Sequence, residues 1–219
     1  MKYQSRKFFT FILITFFALG INTTNALDLK KKIPKIGGNS SKGASDLKDS
    51  KLRFTKIFYE SSINILEAHY HLFNALEMND EAAKTKKSIE FAKNTKKKEG
   101  KRLTNSFNAV SENSDAIEKA LTKEAATSAE AKVHYAKALP FTVKGMLGAV
   151  QLPKEAKSLL DSIKADKMQM LKMKDFVKVL PKIPGFVKDL TTVSKLVVGG
   201  AKSRDVKGAS DANKALGDL

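Results

Sequence analysis

Leu47, Phe54, Phe58, Ile65, His69, Leu72 and Leu76 succeed one another at intervals of seven, four, seven, four, three and four residues. Those intervals return to one side of a 3.6-residue helix, whereas a strand would throw members seven or three apart onto opposite faces. The spacing predicts one helix from Asp46 to Met78, and any fold for the chain has to bury its apolar side.

The next segment keeps the same period. Asn79 and Asp80 supply a capping signal, and Ala82, Ile89, Ala92, Leu103, Phe107 and Val110 mark the stripe of a second helix. Its middle, KNTKKKEGKR, is almost devoid of apolar side chains and contains Gly100, so the helix is expected to kink, fray or break there. Ser114 and Asp115 then offer a cap for a third helix carrying Ile117, Leu121, Ala125, Ser128, Tyr135 and Leu139, with an alanine-rich centre suited to close packing.

Beyond Pro140 the chain is cut again at Pro153, Pro181 and Pro184, and each proline predicts a helix boundary or a first turn. The expected pieces are 141–152, 153–164, 166–180 and 183–198. The last has Ile183, Phe186, Val187, Leu190, Val193, Leu196 and Val197 on one face and is ended by Gly199 and Gly200. No stretch alternates with period two, and no Asn-Gly or Asp-Gly hairpin turn occurs. The fold class is all-α: a long antiparallel helical hairpin completed into a helical bundle, with shorter proline-separated C-terminal helices.

The N-terminus belongs to a different kind of segment. Lys2, Arg6 and Lys7 precede an uncharged apolar run from Phe8 to Ile21, and Thr24 and Ala26 place small side chains at the −3 and −1 positions of a cleavage site before Leu27. That run of about 14 residues is shorter than the roughly 20 that cross a bilayer as a helix, so residues 1–26 are expected to be a secretory signal peptide and the mature chain to have no transmembrane segment. Residues 27–45 hold Lys30 to Lys32, Pro34, Gly37, Gly38 and Gly43 and predict a flexible basic linker. The helical bundle is expected over 46–201 and a flexible tail over 202–219.

Export without the leader leaves 37 of the 40 Lys and Arg residues against 23 Asp and Glu, a net charge of +14. The chain has no cysteine, which excludes disulfides, thiolate metal sites, cysteine nucleophiles and lipid attachment through an N-terminal cysteine. A periplasmic or secreted protein of a bacterial envelope is the expected setting.

Few residues invite chemistry. Two of three histidines fall in EAHYH, where His69 and His71 point about 200° apart on a helix and cannot share one metal. His71 can reach Glu67 one turn back, and this pair is the only metal-binding or enzymatic candidate. A carboxylate-bridged centre in a bundle wants Glu-x-x-His pairs, which the chain lacks. His69 lies on the apolar stripe and is expected to be a hydrogen-bonded core residue. There is no Gly-x-Ser-x-Gly elbow and no glycine-rich phosphate loop. No enzymatic activity, cofactor or metal is expected.

The basic run supplies the strongest functional lead. Lys93, Lys96, Lys97, Lys98, Lys101 and Arg102 crowd into ten residues with a single Glu, a density suited to an anionic membrane surface, lipopolysaccharide or an acidic envelope polymer. Nucleic acid is not the expected partner, because no stacking aromatics interleave with the lysines. A second lead is the segment from Lys164 to Val198, which mixes Met168, Met170, Met173, Phe176, Val177 and Leu180 with regular lysines. Its apolar side either completes the bundle core, the favoured reading for a chain poor in aromatics, or lies on a membrane or closes over a lipid or other small apolar ligand in a carrier.

Overall fold

The stripe that begins at Leu47 forms a 32-residue helix, α1 (Ala44–Ala75), in the computed structural model, which describes residues 44–121 and 128–217. At 1.5 Å per residue α1 is about 48 Å long. It is buried on more than its apolar stripe: Phe54, Phe58, Ile65, Leu72 and Phe73 are accompanied inside by Ser50, Thr55, Ser61, Ser62 and His69. Small hydroxyl side chains on the second side let neighbouring helices approach without opening gaps, so α1 becomes the centre of the fold.

Around it lie α2 (Asn79–Lys93), α3 (Glu99–Leu121), α4 (Ala129–Ala149), α5 (Leu152–Lys164), α6 (Lys167–Lys172), α7 (Lys174–Val179), α8 (Ile183–Ser203) and α9 (Ala209–Gly217), with a 3₁₀ turn at Leu180–Lys182 between α7 and α8. No strand occurs among the described residues, and the chain is all-α. The expected signal peptide, nearly all of the expected linker and the alanine-rich stretch 122–127 lie outside the described residues.

α1 ends earlier than its spacing predicts. Glu77 sits at φ 57°, and the Met78 amide donates back to the Phe73 carbonyl at 2.8 Å, the geometry of a left-handed helix stop. Glycine usually holds that position, so a glutamate there gave no signal. The second helix does break in its lysine-rich middle. Asn94 terminates α2, its Oδ1 accepting from the Lys96 amide at 3.0 Å, and α3 starts afresh at Glu99.

Three boundaries differ from expectation. The cap expected at Ser114–Asp115 lies inside α3, where Ser114 is buried between Val110 and Ile117. Leu103, Phe107, Val110, Ser114, Ile117 and Leu121 continue one stripe at steps of four and three, which outweighs two polar residues. Pro140 sits inside α4 rather than at its edge. Leu139, Thr142, Gly145 and Met146 are all buried on its two sides, and continuous packing against α1 exceeds the ~3 kcal/mol that an interior proline costs. Gly199 and Gly200 likewise fail to end α8, since Val197, Val198 and Ala201 keep its face inside.

As far as Gly217, the stretch expected as a flexible tail is folded. Val206, Ala209, Ala212 and Leu216 are buried, and α9 packs on α8 and α4. The turn into it uses Asp205 at φ 52° and Gly208 at φ 86°. Small alanines made its three-and-four spacing easy to overlook.

The most extensive packing in the molecule is between α1 and α4. Gly145 makes it possible: a Cβ at that position would stand 2.6 Å from Ile65 Cδ1 and 3.1 Å from the Ile65 backbone nitrogen. The expected apolar face of α8 is closed against α3, α4 and α5, with the Phe186 ring stacked on Phe107 at 4.9 Å and 6.4 Å from Phe58. The prolines at 153, 181 and 184 fall in first turns, where the missing N–H costs nothing.

Candidate anion-binding surface

The break between α2 and α3 sorts the six basic candidates into three fates. Lys96, Lys97, Lys98 and Lys101 are exposed on the turn and the first turn of α3. Lys93 donates to Glu67 Oε1 at 2.8 Å across to α1, an exposed ion pair that adds little stability but occupies the ammonium. Arg102 is buried. Its Nη2 and Nε donate to the Ala92 carbonyl at 2.6 and 3.2 Å, and its guanidinium lies 4.1 Å from the centre of the Tyr59 ring.

Arg102 therefore does not belong to an anion-binding surface. It caps the Ala92 carbonyl in the last turn of α2 from the next helix and braces the turn that presents the lysines. Tyr59 adds to the same clasp by donating from its hydroxyl to the Glu99 carbonyl at 2.9 Å. Burial pushes the Tyr59 phenol far above its ordinary pKa, against the opposing pull of Arg102, so it stays a donor throughout the physiological range. Lys51 forms an ion pair with Glu99, which engages the acidic side chain nearest the lysines.

Gly100 joins this turn to a distant part of the chain. A Cβ there would meet the Asp175 carboxylate and stand 2.9 Å from Asp175 Cβ, so only glycine admits α7 against the start of α3. Lys51, 5.6 Å from the Phe176 ring centre, braces the same junction from α1. The contact was invisible in sequence because Gly100 reads there as a helix breaker and Asp175 as one more surface acid.

The methionine-rich segment divides at this junction. Expected as one piece over 166–180, it breaks at Met173 into α6 and α7. Phe176, Val179 and Leu180 go into the core, whereas Met168, Met170 and Leu171 stay outside, with Leu171 75 % and Met168 60 % exposed. Asp166 caps α6 by accepting from the Met168 amide at 2.8 Å.

The Glu67–His71 candidate is rearranged. Glu67 is taken by Lys93, and His71 instead lies 6.0 Å from His134 and 5.8 Å from Phe141, between α1 and α4. Burial, then His134 and Lys137, lowers the His71 pKa, with Glu67 opposing. Among the described residues no group of three His, Asp or Glu side chains could hold a metal ion. His69 is in the core, but its Nδ1 has no hydrogen-bond partner, and burial drives its pKa down to about 3.

Comparison with protein-family models, curated proteins and solved structures finds no match to this chain. The chemistry of the lysine turn and of α6 is therefore the ground for a functional reading. Among the described residues no helix is long and apolar enough to cross a membrane.

Proposed function

We propose that the chain is an exported, non-catalytic helical protein of a bacterial envelope that binds an anionic surface through Lys96, Lys97, Lys98 and Lys101. The observation that carries the reading is the clasped turn: Arg102 and Tyr59 hold it in one shape, while its four lysines are exposed and have no acidic partner among the described residues. A preformed cluster of ammonium groups recognises closely spaced phosphates or carboxylates as point charges, and loses less freedom on binding than a disordered lysine run would.

Replacing Lys96, Lys97 and Lys98 together with Gln tests it. At about 1 kcal/mol per lysine near an anionic surface, affinity for acidic vesicles or a soluble polyanion falls roughly a hundredfold at low salt. The difference shrinks in 0.15 M salt, where the Debye length is about 8 Å. Absence of binding by the unaltered protein to either target at low salt would overturn the reading.

A further inference from the structure

We infer that the anionic surface is a lipid bilayer and that α6 is the element that enters it, Met168 and Leu171 seating below the headgroups while lysines around them hold phosphates. This inference rests on the proposed lysine surface and adds to it an apolar anchor with a defined position.

α6 is unlike the rest of the molecule. None of its six residues is buried, although Met168, Met170 and Leu171 are half of them. Its neighbours put large apolar residues inside: Leu159 and Ile163 of α5 and Phe176 and Val179 of α7 are in the core. Met168 and Leu171 are three apart and share one side of α6. The helix breaks at Met173, φ −110° and ψ 30°, so α6 and α7 do not share one continuous face.

The charge around the step fits a bilayer boundary. Lys164, Lys167, Lys172 and Lys174 are all exposed and bracket the apolar residues on both sides in sequence. Long lysine stems can lie along apolar material while the ammonium groups remain at headgroup level. The acids within reach are few: Asp166 is the cap of α6, Asp175 is packed against Gly100, and Asp161 lies a turn and a half before α6.

The fold also places the step beside the basic turn. Asp175 touches Gly100, Leu171 is four residues from Asp175, and Lys98 is two from Gly100. With consecutive Cα atoms 3.8 Å apart, Leu171 lies within ~15 Å of Asp175 and Lys98 within ~8 Å of Gly100. The two leads that stood about 70 residues apart in sequence thus flank one junction, where α7 packs on the start of α3.

Other occupants fit less well. A second copy of the chain would bring lysines against lysines, on molecules already strongly positive. A stable protein partner needs about 800 Å² on each side, more than a six-residue helix offers. A bilayer needs neither a complementary groove nor a large contact, only apolar side chains that protrude beside cationic ones.

The absence of tryptophan from the sequence makes the test direct. The chain from Leu27 onward keeps the whole compact unit of residues 40–219. In that chain, Leu171→Trp places a single indole at the tip of α6. With vesicles of phosphatidylcholine and phosphatidylglycerol, its emission should shift to the blue and be quenched by brominated acyl chains. The paired variant Met168→Gln/Leu171→Gln should lose at least tenfold in vesicle affinity, yet bind soluble polyphosphate as the parent does. Both positions are exposed, and unchanged helical circular dichroism will report an intact fold. Vesicle binding without a shift or quenching, or equal vesicle affinity of the paired variant, would overturn insertion and leave the lysine surface standing. Loss of binding to both vesicles and polyphosphate by the parent would overturn the lysine surface itself.

Discussion

α4 and α6 are both helices that carry apolar side chains amid lysines, yet α4 lies against the central helix and α6 lies outside. The difference is continuity. Tyr135, Ala138, Leu139, Thr142, Gly145, Met146 and Ala149 keep phase across 15 residues, through a proline, and so cover a long stretch of α1. α6 has a single turn's worth of apolar residues before Met173 changes direction. Burial thus follows the length of an in-phase stripe more than the hydrophobicity of its members: Ala138 and Gly145 are inside, and Leu171 is not.

The sharpest way to break that contrast is Gly145→Leu. Its side chain must displace Ile65, backbone nitrogen included, and the expected loss is about 3 kcal/mol in a denaturant titration, an overpacking penalty at the upper end of the usual range. Pairing it with Ile65→Ala should recover only part of the loss, because the backbone contact remains.

Acid should act on the inner region next. His69 has a folded pKa of about 3 against 6.5 for the unfolded chain, so the unfolded state binds more protons between those values. Stability is complete well above pH 6.5 and falls as the pH drops towards 3, by about 2.5 kcal/mol between pH 7 and 4.5. In His69→Leu this acid limb should flatten, leaving the smaller contribution of His71 in the same direction. An unchanged slope would show that His69 is not the group that titrates.

Arg102→Ala comes third, at about 2 kcal/mol from an orphaned Ala92 carbonyl and a lost contact with Tyr59, whereas Lys97→Gln should change stability by less than about 0.5 kcal/mol. Nearby basic residues would then have opposite profiles, one in folding and the other in polyanion binding. The smallest effect is expected at α6. Met168→Gln/Leu171→Gln should leave the melting midpoint within about a degree or two, since exposed side chains contribute little to folding. A large drop would mean that α6 is packed after all.

Much of this fold was legible in the sequence, and for a definite reason. α1, α5 and α8 carry large apolar residues at helical spacing, and the lysine-rich break before α3 lacks them, so period and composition agreed. The failures share a cause as well. Ser114, Pro140, Gly199 and Gly200 are strong local signals, and in each place a continuing stripe of buried neighbours prevailed. α9 escaped notice because alanine packs as well as leucine where space is small, yet weighs little in a hydrophobic pattern.

The candidate surface was legible in part. The exposed lysines were found by density alone. Arg102 could not be told from them, because nothing local reveals that a guanidinium will cap the preceding helix. The proximity of α6 to the lysine turn depends on Gly100 admitting Asp175, a contact between residues 75 apart.

The central position of α1 also fixes the order in which the molecule can be completed. Its chief partner arrives late: about eighty residues separate Ile65 from Gly145, a pair in close contact across the α1–α4 interface. α2 and α3 are adjacent in sequence and can associate early, but a long loop must be closed before α4 docks, and non-local contacts of this kind slow folding. A chain emerging from its N-terminal end would hold α1 without its principal cover until residue 149 had appeared, so the central helix is the last to be fully enclosed.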